Sequence, residues 1–271
     1  SPVPCAARST PVRSPRAAMG IINVHPAPLR VVDAERPETA EATSALELNA
    51  KAEVLSSRAA TMLLSKMRAK SATQAEFVHF ADRLMRILAE EALARLATRV
   101  TVKTPSDECS GLEPPDSGCL GLVDIMRSGG ILLEAVRQLC PDSKTAKILI
   151  QRDEETRVPA LFYSKLPDGI QDLQVIICDP VLASGSSVMV ALDVLKKAGV
   201  REERLLFVNV AAAPQGLLAL AERAPGVRVL CASLAKDVTT QGTLVPGLGD
   251  FGDRYFGTKG YKEGLWGTDG R

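Results

Sequence analysis

Short apolar segments alternate with helical segments over residues 120–231, and this alternation constrains the fold more than any other feature of the chain. Runs rich in Val, Ile and Leu predict buried strands at residues 120–125, 148–150, 175–178, 205–210 and 227–231. Helices are predicted between several of these runs, at residues 131–139, 187–198 and 215–223. A strand–helix–strand order favours a mostly parallel sheet with helices on both faces, so the predicted fold class is α/β.

An N-terminal helical pair is predicted ahead of the sheet. Leu48, Leu55 and Met62 recur every seven residues, a spacing typical of one helix face. Residues 73–76 have the spacing of a capping box, and the apolar positions after them predict a helix that runs to about residue 97.

Two segments interrupt the regular pattern. Residues 104–118 contain three Pro and two Gly, which predicts a loop. Residues 153–168 are charged and punctuated by Pro, which predicts a protruding β-hairpin arm.

The chain is predicted to consist of a disordered extension at residues 1–45 and one domain at residues 46–271. The first 32 residues contain four Arg, six Pro and no acidic residue, a composition typical of disorder. The same basic composition is typical of an organelle transit peptide, although no amphipathic helix is evident. We expect a cytoplasmic protein, with an organellar location as the alternative.

Charge and aromatic content exclude several classes of function. The 33 Lys and Arg residues against 32 Asp and Glu leave a net charge of +1, so bulk charge offers no field to a nucleic-acid backbone. Ten aromatic residues are too few for a surface that stacks single strands. No apolar run approaches the roughly 18 residues that span a bilayer. Two His and six scattered Cys lack the spacing of a zinc site. We therefore expect neither a nucleic-acid nor a membrane partner.

Residues 175–187 carry the most informative chemical pattern, because an apolar strand ends at Asp179 and small residues then lead into a helix. Small side chains let backbone N–H groups approach an anion, and the helix N-terminus adds positive potential. The hydroxyls of Ser184, Ser186 and Ser187 add donors. Asp179 cannot lie against a phosphate, but it can accept hydrogen bonds from sugar hydroxyls. The alternative interpretation is an ordinary strand–turn–helix connection.

Two arginines follow other predicted strands. Arg127 precedes a Ser-Gly-Gly turn and a helix, and Arg152 lies beyond the strand at residues 148–150. Open α/β sheets bind ligands at the carboxyl ends of their strands, where arginines can bind anions. Each arginine alone is more typical of a surface residue, but three phosphate-compatible features at three strand ends favour an anion site.

Residues 242–254 form a Gly-rich segment that contains a misleading motif. Gly247, Gly249 and Gly252 have the spacing of a dinucleotide fingerprint, but Pro246 interrupts the strand that such a motif needs. Too few residues follow to supply the helix and strand of that motif. The segment is predicted instead to be an acid-bearing loop whose backbone amides and carbonyls bind a small planar ligand.

The chain resembles the uracil phosphoribosyltransferases, a family of type I phosphoribosyltransferases, over about residues 48–258. Four segments carry the resemblance: residues 127–129, 151–153, 179–187 and 245–258. The first three are similar to phosphoribosyltransferases in general, and the last is specific to the uracil branch. The resemblance implies the type I phosphoribosyltransferase fold and transfer of ribose 5-phosphate from phosphoribosyl pyrophosphate (PRPP) to N1 of uracil, which gives UMP and pyrophosphate.

The resemblance also implies roles for individual residues. Residues 183–187 would hold the 5′-phosphate, Asp179 the ribose hydroxyls, and Arg127 and Arg152 the pyrophosphate. Uracil would lie against backbone groups of Leu244 and of the loop Gly249, Asp250 and Phe251. The implied catalytic residues are Asp179, Asp250, Arg127 and Arg152. The implied PRPP-binding residues are Arg127, Arg152, Asp179, Pro180, Val181, Leu182, Ala183, Ser184, Gly185, Ser186, Ser187 and Asp250.

Cofactor and partners are implied in the same way. Magnesium (Mg²⁺) would arrive with PRPP, near Asp250, and no residue of the chain is expected to be a direct ligand. The hairpin at residues 153–168 would cover the site or contact another subunit. A homodimer or homotetramer is implied, with GTP as a candidate activator.

The phosphate loop departs from the family pattern at one position that bears on its backbone. Ser186 stands where the family usually has Gly, which predicts some strain if the position needs a positive φ. The main alternative function is a catalytically weak relative that regulates by binding uracil, UMP or PRPP. A phosphoribosyltransferase for another base is disfavoured by residues 244–254.

Overall fold

The computed structural model describes residues 44–153, 158–240 and 242–258. The strands of these residues are β1 (Ala52–Val54), β2 (Thr98–Lys103), β3 (Glu108–Glu113), β4 (Leu120–Met126), β5 (Lys144–Arg152), β6 (Pro159–Lys165), β7 (Gln174–Cys178), β8 (Val181–Leu182), β9 (Leu205–Ala212), β10 (Arg228–Leu234), β11 (Asp237–Val238) and β12 (Leu244–Val245). The helices are α1 (Arg58–Arg68), α2 (Gln74–Leu96), α3 (Gly129–Leu139), α4 (Ser186–Lys197), α5 (Pro214–Arg223) and α6 (Phe251–Phe256).

An eight-stranded sheet forms the centre of the fold. Its order is β1-β10-β9-β7-β4-β5-β6, with β8 paired to β9. Every pair is parallel except β5 and β6, which are antiparallel. The predicted α/β fold with a mostly parallel sheet is therefore confirmed. Because parallel strands end at the same edge, the carboxyl ends of β4, β5 and β7 bring Arg127, Arg152 and Asp179 to one edge of the sheet.

Alternate residues of a strand point to opposite faces of the sheet, and helices cover both faces. Leu120 and Leu122 of β4 belong to a core with α1, α2, α3 and α6. Val123 and Ile125 of the same strand belong to a second core with α4 and α5. The central strand β9 is buried at every position, which is why its residues are apolar except for Asn209.

The helical pair is confirmed as α1 and α2, but the helix predicted from about residue 46 is interrupted: residues 44–48 are helical, and β1 separates them from α1. Residues 52–54 form the edge strand β1, which pairs with β10, so no helix face joins Leu48 to Leu55 and Met62. Leu55 is buried, whereas Met62 is exposed on α1. The capping box at Thr73 and Glu76 begins α2 as predicted.

The predicted loop at residues 104–118 is partly wrong. β2 and β3 pair as an antiparallel hairpin, and β3 occupies residues 108–113. Nearly every residue of this hairpin is exposed, and β3, which lies in the predicted loop, has no apolar alternation that would mark a half-buried strand.

The predicted hairpin arm is present as β5 and β6, which pair from Lys147 and Lys165 to Arg152 and Pro159. Both strands belong to the central sheet. Residues 154–157, which connect them in the sequence, lie outside the described residues. The predicted extension lies outside them as well, except for residues 44 and 45, and its disorder stays a prediction. No helix within the described ranges is long and apolar enough to cross a membrane.

Candidate active site

The segment from Asp179 to Ser187, which is predicted to be a phosphate cradle, connects β7 to α4. Gly185 precedes the helix with φ 81°, a left-handed conformation that favours glycine. The Ser184 hydroxyl donates to the Ser186 hydroxyl over 3.1 Å and accepts from the Ser186 backbone N–H over 3.4 Å. The first turn of α4 therefore presents hydroxyl and N–H donors at the sheet edge.

The strain predicted at Ser186 does not occur. Ser186 is the first residue of α4 and has a helical backbone, whereas the left-handed position is Gly185, one residue earlier. The serine side chain is therefore compatible with the loop, and its hydroxyl adds a donor there.

Asp179 lies just beyond β7 and is partly buried. Its backbone N–H donates to the Val208 carbonyl over 3.3 Å, and its Oδ1 accepts from the Val181 N–H over 3.4 Å. Burial raises the pKa of this carboxyl group to about 7, although the Val181 hydrogen bond and the nearby Arg152 lower it. Asp179 thus changes charge near neutral pH and lies next to a cation.

Arg152 joins the hairpin to the phosphate cradle. Its Nε donates to the Ser187 hydroxyl over 3.2 Å, and the two residues are 35 positions apart in the sequence. The structure therefore brings together Arg152, Ser187 and Asp179, which the sequence assigned to one anion site.

Arg127, at the end of β4, lies against the segment that is specific to the uracil branch. Its guanidinium donates to Asp253 Oδ1 over 2.9 Å and to the Thr258 hydroxyl over 2.7 Å. The Arg127 side chain is 51% exposed, so it remains open to a ligand. A Cβ on Gly252 would lie 3.3 Å from the guanidinium, which explains why a glycine fits at that position.

The predicted base loop lies between β12 and α6. Leu244 is buried in β12, and Gly249 has φ 71°. Asp250 is exposed, and its Oδ1 accepts from the Asp253 N–H over 2.8 Å, which caps α6. The Phe251 side chain is buried against Phe77, with ring centroids 5.2 Å apart, so it supports the loop from the core side.

A buried arginine anchors α6 to the helical pair. Arg254 is 2% exposed, and its guanidinium donates to the carbonyls of Met67 and Leu248 over 2.7 and 2.8 Å. The same guanidinium lies 4.3 Å from the centroid of the Phe77 ring, a cation–π geometry. These contacts fix the helix that follows the base loop.

Two pairs of hydrogen-bonded residues near the site were not predicted from the sequence: Asp253 with Thr258, and Asp124 with Lys147. Asp253 and Thr258 lie in the quoted uracil segment, but no role was assigned to them. Asp124, 3% exposed in β4, accepts from the Lys147 ammonium over 2.6 Å, and burial raises the pKa of its carboxyl group. A carboxylate inside an apolar strand is the signal that could have identified Asp124.

Comparisons with known proteins find relatives that share one family description. A family model described as uracil phosphoribosyltransferase matches residues 54–258. Uracil phosphoribosyltransferase 1 of Schizosaccharomyces pombe is 38% identical over 197 residues, which cover 73% of this chain and 90% of that protein. The uracil phosphoribosyltransferase of Dictyostelium discoideum is 36% identical over 197 residues, with 73% and 91% covered.

Bacterial and structural relatives extend the similarity. The uracil phosphoribosyltransferase of Lactococcus lactis is 36% identical over 197 residues, which cover 72% of this chain and 93% of that protein. A solved structure of a protein from Aquifex aeolicus matches with a TM-score of 0.66 at 27% identity. That match covers 78% of this chain and 100% of the other.

Proposed function

Because this chain belongs to the uracil phosphoribosyltransferase family, we propose that its site transfers ribose 5-phosphate from PRPP to N1 of uracil. The products are UMP and pyrophosphate, and the enzyme is a pentosyltransferase of pyrimidine salvage. The observation that carries this function is the meeting of Arg152, Ser187 and Asp179 at one sheet edge. Arg127 and the base loop lie at the same edge.

PRPP would lie along the cradle. The 5′-phosphate would accept hydrogen bonds from the first turn of α4 and from the hydroxyls of Ser184, Ser186 and Ser187. The carboxylate of Asp179 would accept from the ribose hydroxyls, which requires its ionised form. Pyrophosphate would lie between Arg127 and Arg152. Their side chains place positive charge locally at the site, although the net charge of the whole chain is only +1.

Uracil would lie against the backbone of Leu244 and of residues 249–251. Backbone N–H and C=O groups match the alternating acceptors and donors of a pyrimidine edge, and they need no charged partner. If N1 loses its proton during attack, Asp250 is our candidate acceptor. Its carboxylate is exposed, and only Oδ1 is used to cap α6.

Magnesium would enter bound to PRPP. Asp179 and Asp250 each offer single carboxylate oxygens, which are ligands that Mg²⁺ accepts alongside phosphate oxygens and water. The described residues contain no group of three His, Cys, Asp or Glu side chains arranged for a metal. Held with PRPP beside these carboxylates, Mg²⁺ would supply positive charge to the leaving pyrophosphate.

The transfer passes through an oxocarbenium-like state at the anomeric carbon, as the family membership implies. The chain's main tasks are therefore to stabilise the leaving pyrophosphate and to exclude water. Arg127 and Arg152 perform the first task. The hairpin of β5 and β6 performs the second, since Arg152 joins it to the cradle.

The test is to incubate the full chain with labelled uracil, PRPP and Mg²⁺ and to follow UMP and pyrophosphate. The variant Asp179→Asn is the matched control, because it keeps the shape of the side chain and removes its charge. Stoichiometric UMP and pyrophosphate from the wild type alone would support the proposal. Binding of PRPP without any product would favour the regulatory alternative instead.

Assembly and regulation are further parts of the proposal. Strand β6 exposes Leu161, Phe162 and Tyr163 at the edge of the sheet, an apolar surface that a second copy can cover. This surface supports a homodimer or homotetramer, which light scattering of the full chain measures directly. GTP activation and a cytoplasmic location rest on the family resemblance alone.

A further inference from the structure

Three residues from distant parts of the chain form one hydrogen-bonded group, here called the Arg127 bridge. Arg127 follows β4, Asp253 lies in α6, and Thr258 follows that helix. The Thr258 hydroxyl accepts from Arg127 over 2.7 Å and donates to Asp253 Oδ1 over 2.7 Å. Arg127 also donates to the same Asp253 oxygen over 2.9 Å. Each group of the bridge thus contacts the other two.

The geometry of the guanidinium leaves room for a ligand. Arginine has five N–H donors in one plane, and the contacts with Thr258 and Asp253 use one donor on each terminal nitrogen. The remaining donors can bind phosphate oxygens while Asp253 and Thr258 hold the plane in place. Since the Arg127 side chain is half-exposed, those donors are accessible to a substrate.

The bridge is also linked to the base loop. Asp250 Oδ1 accepts from the Asp253 N–H over 2.8 Å, so the residue proposed to lie beside uracil caps the turn that carries Asp253. Asp253 is buried, and its neighbour Arg254 anchors α6 to the core. A ligand that contacts residues 249–251 therefore contacts the cap of the helical turn that holds the acceptor of Arg127.

We propose that Asp253 and Thr258 are positioning residues that orient Arg127 toward pyrophosphate and couple pyrophosphate binding to uracil binding. This inference rests on the proposed function, because it takes uracil and pyrophosphate as the two ligands. Coupling is reciprocal: if uracil raises the affinity for pyrophosphate, pyrophosphate raises the affinity for uracil by the same factor.

The test uses a pair of ligands that cannot react with each other. The dissociation constant of magnesium pyrophosphate is measured by calorimetry on the full chain, first alone and then with saturating uracil. For the wild type we expect uracil to tighten pyrophosphate binding by about fivefold or more. The ratio of the two constants is the coupling factor.

Thr258 is the most informative position to substitute, because it is exposed and changing its side chain leaves no cavity in the core. Thr258→Val keeps the shape and removes the hydroxyl, so the coupling factor should fall below about twofold. Thr258→Ser keeps the hydroxyl and should restore the wild-type factor. Thr101→Val, in the exposed strand β2, is the matched control and should change nothing.

Asp253→Asn tests the charged member of the bridge. It should lower the coupling factor to about one, while the affinity for uracil alone stays within about twofold. A melting temperature equal to that of the wild type separates this effect from misfolding. If Asp253→Asn is unstable, the coupling factor of Thr258→Val still tests the inference.

Two results would overturn the inference: a wild type without coupling, or a Thr258→Val variant with the full wild-type factor. Neither depends on turnover. A wild type that forms no UMP would instead refute the proposed function, so the two failures are distinguishable.

Discussion

The Nε of Arg152 and the hydroxyl of Ser187 lie 3.2 Å apart, so the strand that begins the hairpin arm is hydrogen-bonded to the helix in which the phosphate cradle ends. This contact gives Arg152 two separable contributions. Its charge stabilises the leaving pyrophosphate, and its hydrogen bond orients the hairpin over the cradle.

Arg152→Gln should lower kcat/KM for PRPP by about 100-fold or more, because it removes a charged donor from the departing group. Ser187→Ala should cost less than about tenfold, since it removes one neutral hydroxyl and leaves the charge in place. Steady-state UMP formation at varied PRPP measures both variants. Equal losses in the two variants would contradict a separate role for the Arg152 charge.

The activity of the free enzyme should fall as the pH drops through about 7. Burial raises the pKa of Asp179 to about 7, and only its ionised form accepts from both ribose hydroxyls. A profile of kcat/KM for PRPP between pH 5 and pH 9 measures this limb. A flat profile down to pH 5.5 would contradict the assignment of Asp179.

The same pKa shift predicts how stability depends on pH. The unfolded chain releases the Asp179 proton near its ordinary pKa of 3.8, and the folded chain releases it near 7. The folded state therefore binds more protons between these values, so the free energy of unfolding falls as the pH rises through this window. Asp179→Asn should remove that slope and stabilise the protein at pH 8 by about 2 kcal/mol, a value discounted for partial exposure. Urea denaturation at pH 4.5 and pH 8 measures the difference.

Gly185→Ala should disturb the cradle, because the φ of 81° at this position costs a non-glycine residue about 1–2 kcal/mol. We expect a KM for PRPP raised by about tenfold, since 1.4 kcal/mol corresponds to a factor of ten. Ser186→Gly is the matched control: Ser186 is helical, so restoring glycine relieves no strain there. A clear gain of PRPP affinity in Ser186→Gly would contradict this geometry.

The ion pair of buried Asp124 with partly exposed Lys147 should be more sensitive to the loss of the lysine alone than to the loss of both partners. Lys147→Met leaves a buried carboxylate without its cation, and we expect a cost of about 2–3 kcal/mol, because Lys147 is 42% exposed. The double variant with Asp124→Leu should recover part of that loss, because it removes the uncompensated charge. Urea midpoints of the wild type and both variants test this order.

The periodic parts of the fold were predictable, whereas the short and exposed parts were not. Strands such as β9 are apolar at nearly every position, and the capping residue Thr73 marks the start of α2. β1 has three residues, too few to establish any period. The hairpin of β2 and β3 is exposed on both faces, so burial leaves no mark on its sequence.

The candidate site was predictable as a set of segments, but not as a set of contacts. The strand ends of Arg152 and Asp179 follow from the parallel order of the sheet. The contact of Asp124 with Lys147 requires the register of β4 against β5, which pairs these two positions and which composition does not specify. Likewise, the family resemblance indicated residues 252–258, but only the fold places Asp253 beside Arg127.

The anchoring of Arg254 has a consequence for how the chain is made. This side chain donates to the carbonyls of Met67 and Ala69, which leave the ribosome more than 180 residues earlier. The two carbonyls and the Phe77 ring therefore do not contact Arg254 until residue 254 has been synthesised. A nascent chain that stops before residue 251 lacks the helix that follows the base loop and holds the acceptor of Arg127. Competence for catalysis is thus acquired only after residues 251–258 have left the ribosome.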